Sequence, residues 1–100
     1  MLYITQLIYL KHGQENIFHQ FEDIAIPIIS KYNGNLLLRV RPTDNTFVEA
    51  NIEKPYEIHY VSFETEQDFN NYMHDEERKR FLHLKDQSIQ SVFLTKGFKI

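Results

Sequence analysis

Apolar and polar residues alternate with a period of two in four segments: Leu2 to Lys11, Asn35 to Pro42, Pro55 to Phe63 and Ser88 to Lys96. Period two is the mark of strands. Between them, two segments follow helical spacing. In the first, Gln14 to Lys31, the residues Ile17, Phe18, Phe21, Ile24, Ala25, Ile28, Ile29 and Tyr32 form one apolar stripe. Pro27 lies inside that stripe and lacks an amide for the Asp23 carbonyl, which predicts a kink or a late break, and Asn33-Gly34 supplies a C-terminal stop. The second helical segment begins at Thr65, three residues before Asp68 in a capping-box-like arrangement, and carries Phe69, Tyr72 and Met73 on one side. Asp75 can cap a further helical piece from Glu76 to Asp86, with acids first, then Arg78, Lys79 and Arg80, and an apolar side of Phe81, Leu82 and Leu84. Thr43-Asp44-Asn45 is turn chemistry, and Thr46 to Ile52 looks extended, a short arm or an irregular continuation before the third strand.

The predicted order is β-α-β-β-α-β, the ferredoxin-like split βαβ arrangement, with a four-stranded antiparallel sheet and helices on one face. Strand faces carry further information. Leu2, Ile4, Gln6, Ile8 and Leu10 oppose Tyr3, Thr5, Leu7, Tyr9 and Lys11, so both sides of the first strand are largely apolar. In the second strand, Leu36, Leu38 and Val40 oppose Leu37, Arg39 and Arg41; in the third, Tyr56, Ile58, Tyr60 and Ser62 oppose Glu57, His59, Val61 and Phe63. Helices on one face leave the other apolar face without a cover, where an antiparallel sheet with one wet face should alternate cleanly. A second copy laid sheet to sheet supplies the cover, so a homodimer through the sheet faces is expected.

Composition narrows the class. One hundred residues at 42% hydrophobic and 25% charged fit one globular domain over 1–100. A chain this short buries roughly 60–65% of its unfolded surface, so association adds needed stability. The net charge of −3 gives no basic excess for phosphate backbones, and no nucleic-acid partner is expected. The apolar start MLYITQLIYL has no basic flank and is too short to span a bilayer. With no cysteine present, disulfide and thiolate chemistry are excluded, and a cytoplasmic protein without a membrane partner is expected.

The order of elements and the length resemble the dimeric α+β barrel superfamily. Within it, Tyr32-Asn33-Gly34-Asn35-Leu36-Leu37-Leu38-Arg39 is similar to the turn and arginine-ended strand of the family called domain of unknown function 1330. Glu49 stands in the place of a family glutamate, and Pro55 through Phe63 leads to a helix in the same way. Val40 and Arg41 stand where that family has glycines. The superfamily includes cofactor-free monooxygenases and small isomerases, so the resemblance implies no cofactor.

The candidate chemistry is thin. Arg39 in an apolar strand needs a carboxylate, a carbonyl or an anionic ligand. Glu49 is one candidate partner in a structural ion pair; a ligand anchor is the other reading. His59 has the parity of Arg39 on the neighbouring strand and is either a general base or a hydrogen-bonded core residue. Glu57 shares its face and would orient it or point to solvent. Tyr3, Tyr9, Tyr60 and Tyr72 either wall an aromatic pocket between sheet and helices or pack the core. His19, Glu22 and Asp23 fall one helical turn apart, which suits either a metal face or a solvated helix face; the solvated face, without metal, is the expectation. The charges from Asp75 to Arg80 read as a solvated helix start. No HExxH, phosphate loop or Ser-His-Asp set is present. The expected function is binding of a small anionic or aromatic molecule in that pocket, with Arg39, Glu49, Tyr9 and Tyr60 as ligand-binding residues. The alternatives are a cofactor-independent monooxygenase- or isomerase-like enzyme with His59 catalytic, and a purely structural or interaction dimer.

Overall fold

The computed structural model describes residues 1–100. Its elements run β1 (Leu2–Leu10), α1 (Glu15–Ile28), β2 (Gly34–Val40), β3 (Glu57–Phe63), α2 (Glu66–Met73), α3 (Glu76–Arg80), α4 (Leu82–Ser88) and β4 (Ile89–Gly97). The strands form one antiparallel sheet in the order β2-β3-β1-β4. This is the expected ferredoxin-like α+β topology. Ile4, Ile28, Ile29, Val61, Phe63, Phe69 and Tyr72 make the core between the sheet and its helices.

Local chemistry explains the boundaries. The Thr65 hydroxyl accepts from the Asp68 amide at 3.0 Å, and Asp75 Oδ1 accepts from the Arg78 amide at 2.9 Å, so each begins a helix by satisfying a free donor. Phe81 leaves helical geometry (φ −110°, ψ 12°), which splits the single expected piece from Glu76 into α3 and α4. Pro27 acts through a late break and not a mid-helix kink. The α-helix ends one residue beyond it and tightens into a 3-10 turn over Ile29–Tyr32, because the proline withholds an amide donor. Asn33 then takes the left-handed conformation (φ 57°) that ends the turn.

Gly34 is required for a different reason. A Cβ there would lie 2.5 Å from Ile29 Cγ2, 2.7 Å from Phe63 Cε1 and 2.9 Å from the Ile29 carbonyl oxygen. Side chains can shift, but the backbone oxygen is held by the turn. Gly34→Ala is therefore expected to cost about 2–3 kcal/mol, the upper part of the overpacking range, in urea denaturation. A variant as stable as wild type would mean that the turn yields freely.

Two strand details differ from the expected pattern. Leu36 pairs with Val61 but Leu38 pairs with Tyr60, so Leu37 is an extra residue, a bulge. Leu36 and Leu38 consequently face opposite sides of the sheet, and Arg39, opposite His59, returns to the helix side. The stretch open between an extended arm and an irregular continuation forms no strand and is the latter: a short 3-10 turn at Asp44–Thr46 is followed by irregular chain.

The second sheet face carries Tyr3, Leu7, Leu38, Ile58, Tyr60 and Phe93, as the pairing register requires. Tyr3 and Tyr60 stack with centroids 5.8 Å apart. Leu38 is 52% exposed and Phe93 59%. At one end the chain covers itself: the Tyr9 hydroxyl donates to the Glu53 carbonyl at 2.6 Å and its ring meets Phe93 edge-on. The rest of that face is open.

Candidate functional site

A buried carboxylate organises the charged residues of the helix side. Glu57 begins β3 and is 0% exposed. Its Oε1 accepts from Arg39 Nε at 2.9 Å and bonds His59 Nε2 at 2.8 Å. Oε2 accepts from Arg41 Nε at 2.9 Å and from both Arg39 Nη2 and Arg41 Nη2. Burial by itself would raise the Glu57 pKa, but the bonds from His59, Arg39 and Arg41 outweigh it and bring it down to about 2. An ionised Glu57 can only accept, so His59 Nε2–H donates this bond, and the Nδ1 edge of the ring turns toward Glu22. Burial works against the Arg39 charge too, yet the bond to Glu57 more than compensates and holds its pKa above the usual value.

The second buried acid of the site is Glu22, on α1, whose Oε2 lies 3.9 Å from His59 Nδ1. Burial pushes its carboxyl pKa up, partly offset by the charges of His59 and Arg39. Glu22 thus leaves the expected solvated helix face. The sequence signal was available: it stands four residues after Phe18 and three before Ala25, within the apolar stripe. Its neighbours diverge, for Asp23 is exposed and His19 bonds the Tyr56 hydroxyl at 2.8 Å.

His59 and Glu22 lie at one side of a cavity of about 130 Å³ between sheet and helices. Its walls include Ile4, Phe21, Val61, Phe63, Phe69 and Tyr72. The Tyr72 hydroxyl, pushed up to about 12 by burial, donates to the Ala25 carbonyl at 3.0 Å and stays protonated. Arg78 and Lys85 also line the cavity. Arg78 belongs to the charged run expected as a solvated helix start, and Lys85 lies beyond it; Arg78 stands three residues before Phe81 and Lys85 four after it, on the apolar side of their helices.

The expected ligand-binding set divides. His59 lines the cavity; Arg39 does not, and its guanidinium is engaged by Glu57. Glu49 lies exposed in the irregular stretch and makes no bond to Arg39. Glu57 was the nearer acid, two residues from His59 and on the same strand face. Tyr9 and Tyr60 sit on the opposite side of the sheet from the cavity, as their pairing with Ser91 and with Thr5 and Leu38 shows. Tyr3 shares that side, so Tyr72 alone of the four tyrosines walls the pocket.

A four-stranded antiparallel sheet with helices on one face and a βαββαβ order places the chain among ferredoxin-like folds, and the solved structures it resembles include a dabb family protein with a ferredoxin-like fold from Mesorhizobium loti. A protein of unknown function from Rhodopseudomonas palustris superposes with a TM-score of 0.81 at 7% identity, over 99% of this chain and 82% of its own. An antibiotic biosynthesis monooxygenase-like protein from Nitrosomonas europaea gives 0.75 at 9% identity, over 100% and 99%. A dimeric protein of unknown function from Bacteroides fragilis gives 0.69 at 11% identity, over 96% and 93%. At these identities the likeness is one of fold. No protein-family model and no curated protein matches the sequence.

Proposed function

We propose that the chain is a one-domain cytoplasmic protein that pairs with a second copy through its open sheet face and binds a small organic molecule in the cavity beneath its helices. The observation that carries this reading is the cavity itself. About 130 Å³ of apolar-walled space, with Glu22, His59, Arg78 and Lys85 at its surface, is far more than packing defects leave in a domain this small. The exposed Leu38, Tyr60 and Phe93 support the pairing, as does the dimeric state described for the Bacteroides fragilis protein. No helix is long and apolar enough to cross a membrane. The absence of cysteine suits a reducing compartment, and the net charge of −3 disfavours a nucleic-acid partner.

Methyl-resolved NMR with fragments of about six to ten heavy atoms tests the cavity. Binding is expected with Kd between about 10 μM and 1 mM, and with shifts at Ile4, Ile29, Val61 and Val92. Silent cavity methyls across the library would leave a structural or interaction dimer.

The Glu57–His59 pair favours a second reading, a cofactor-independent isomerase- or monooxygenase-like enzyme. Glu57 fixes the imidazole so that Nδ1 can take a proton from an enolisable substrate. Solvent deuterium entering the α-carbon of a bound ketone, and at least about 100-fold less in His59→Gln, is the expected result for an enzyme. Equal exchange in both proteins would remove His59 from catalysis.

A further inference from the structure

We propose that the cavity is built for a compact monocarboxylic acid, its carboxylate held by Arg78 and Lys85 and its apolar body lying against the sheet. This rests on reading the cavity as a binding site, and it moves the anchor from Arg39 to Arg78.

Arg78 is 6% exposed, and its buried Nε–H has no hydrogen-bond partner. Nη1 donates to the Met73 carbonyl at 3.3 Å, and the guanidinium carbon lies 5.7 Å from the centre of the Phe21 ring and 5.1 Å from that of Tyr72. The rings hold the side chain in place, and the Tyr72 hydroxyl lies near the guanidinium, but Nε–H itself is left without an acceptor. None of the ion pairs in the molecule includes Arg78, so this is a buried guanidinium without a carboxylate. That is an arrangement a folded chain ordinarily avoids unless something else completes it.

Lys85 faces the same cavity and forms no ion pair either. Burial, then the nearby Arg78 charge, pulls its amine pKa below the usual lysine range. An anion between the two cations would satisfy the orphan donor and relieve their repulsion. Glu22, the one acid lining the cavity, has His59 and not Arg78 within ion-pair distance.

The remaining surface selects the rest of the ligand. Thirteen of the eighteen lining residues are hydrophobic, and the volume of about 130 Å³ approaches the ~150 Å³ of an apolar cavity that accepts benzene. One ring or a short branched chain fills it. The mostly apolar walls suit a singly charged carboxylate better than a doubly charged phosphate, whose second charge would have to be desolvated there.

Titration calorimetry with benzoate and its neutral isostere benzamide tests the assignment on wild type, Lys85→Gln and Arg78→Gln, with circular dichroism to check folding. Benzoate is expected to bind wild type at least about tenfold more tightly than benzamide. Each variant should weaken benzoate about five- to tenfold and leave benzamide within about twofold. If Arg78→Gln does not fold, Lys85→Gln carries the comparison. Equal binding of the two probes by wild type would overturn the acid class while leaving the cavity as a binding site. Benzoate binding unchanged in the variants would overturn the anchor and place the anion elsewhere. If neither probe binds and the cavity methyls do not shift, the binding-site reading falls as well.

Discussion

Glu57→Gln is expected to lose about 2–3 kcal/mol of folding stability, a drop in Tm on the order of 10 °C or more. The carboxylate side chain is 1% exposed and receives His59, Arg39 and Arg41 together. Breaking a buried ion pair costs about 3–5 kcal/mol when the partner stays buried. Here Arg39 and Arg41 are 29% and 49% exposed, so the stranded guanidiniums regain some water and the loss falls below that range. Glu49→Gln is the matched control and should stay within about 0.5 kcal/mol, since Glu49 is exposed. Urea denaturation of both variants decides the matter; equal small losses would mean that Glu57 does not hold the network together.

The same network sets the acid limb of stability. The folded pKa of Glu57, about 2, lies below its ordinary 4.5, so the unfolded chain binds a proton first. Its contribution is complete above about pH 4.5 and disappears as the pH falls toward 2. Glu22 has the opposite sign: with its folded pKa raised, the folded chain binds the proton first, and stability declines as pH rises through that value. Stability should therefore rise slightly from neutrality toward pH 4.5 and fall steeply below it. In Glu57→Gln the steep limb should be much shallower.

The second large effect concerns the proposed dimer. Tyr60→Glu is expected to convert a particle of twice the chain mass into one of single mass at micromolar concentration. Tyr60 lies on the open face of the central strand β3 and is 36% exposed in the single chain, so the fold should tolerate the change. In a two-fold pair each substitution counts twice, and each places an unpaired charge against apolar surface. The dissociation constant should rise by at least about two orders of magnitude. Sedimentation equilibrium reads the outcome, and a wild type already monomeric at about 10 μM would remove the homodimer.

How much of this was written in the sequence varies by element. The caps at Thr65 and Asp75 were legible because each is a local bond between a side chain and an amide three residues on. The αL stop at Asn33 was local as well. Glu22, Arg78 and Lys85 stand at helical spacing from Phe18 and Phe81, so periodicity marks them as facing inward. The face of the tyrosines was half legible. Tyr9 shares a side with Leu7 by parity, but with both strand sides apolar nothing local told which one the helices would cover.

The bulge at Leu37 was not legible. It falls within Leu36-Leu37-Leu38, where three identical side chains leave no break in the pattern to mark an inserted residue. Yet this one residue turns Arg39 and Arg41 from the open face to the helix side, where Glu57 waits.

By itself, then, the sequence determined the elements, their order and the two apolar sheet faces, because strand and helix periods, caps and turns act over a few residues. Only the tertiary structure decided which carboxylate meets Arg39, which tyrosine walls the cavity, and that Arg78 is left buried with a free donor. Those outcomes depend on register and on packing between residues far apart in the chain, 18 positions for Arg39 and Glu57 and 47 for Tyr72 and Ala25, where side-chain chemistry carries no local signal.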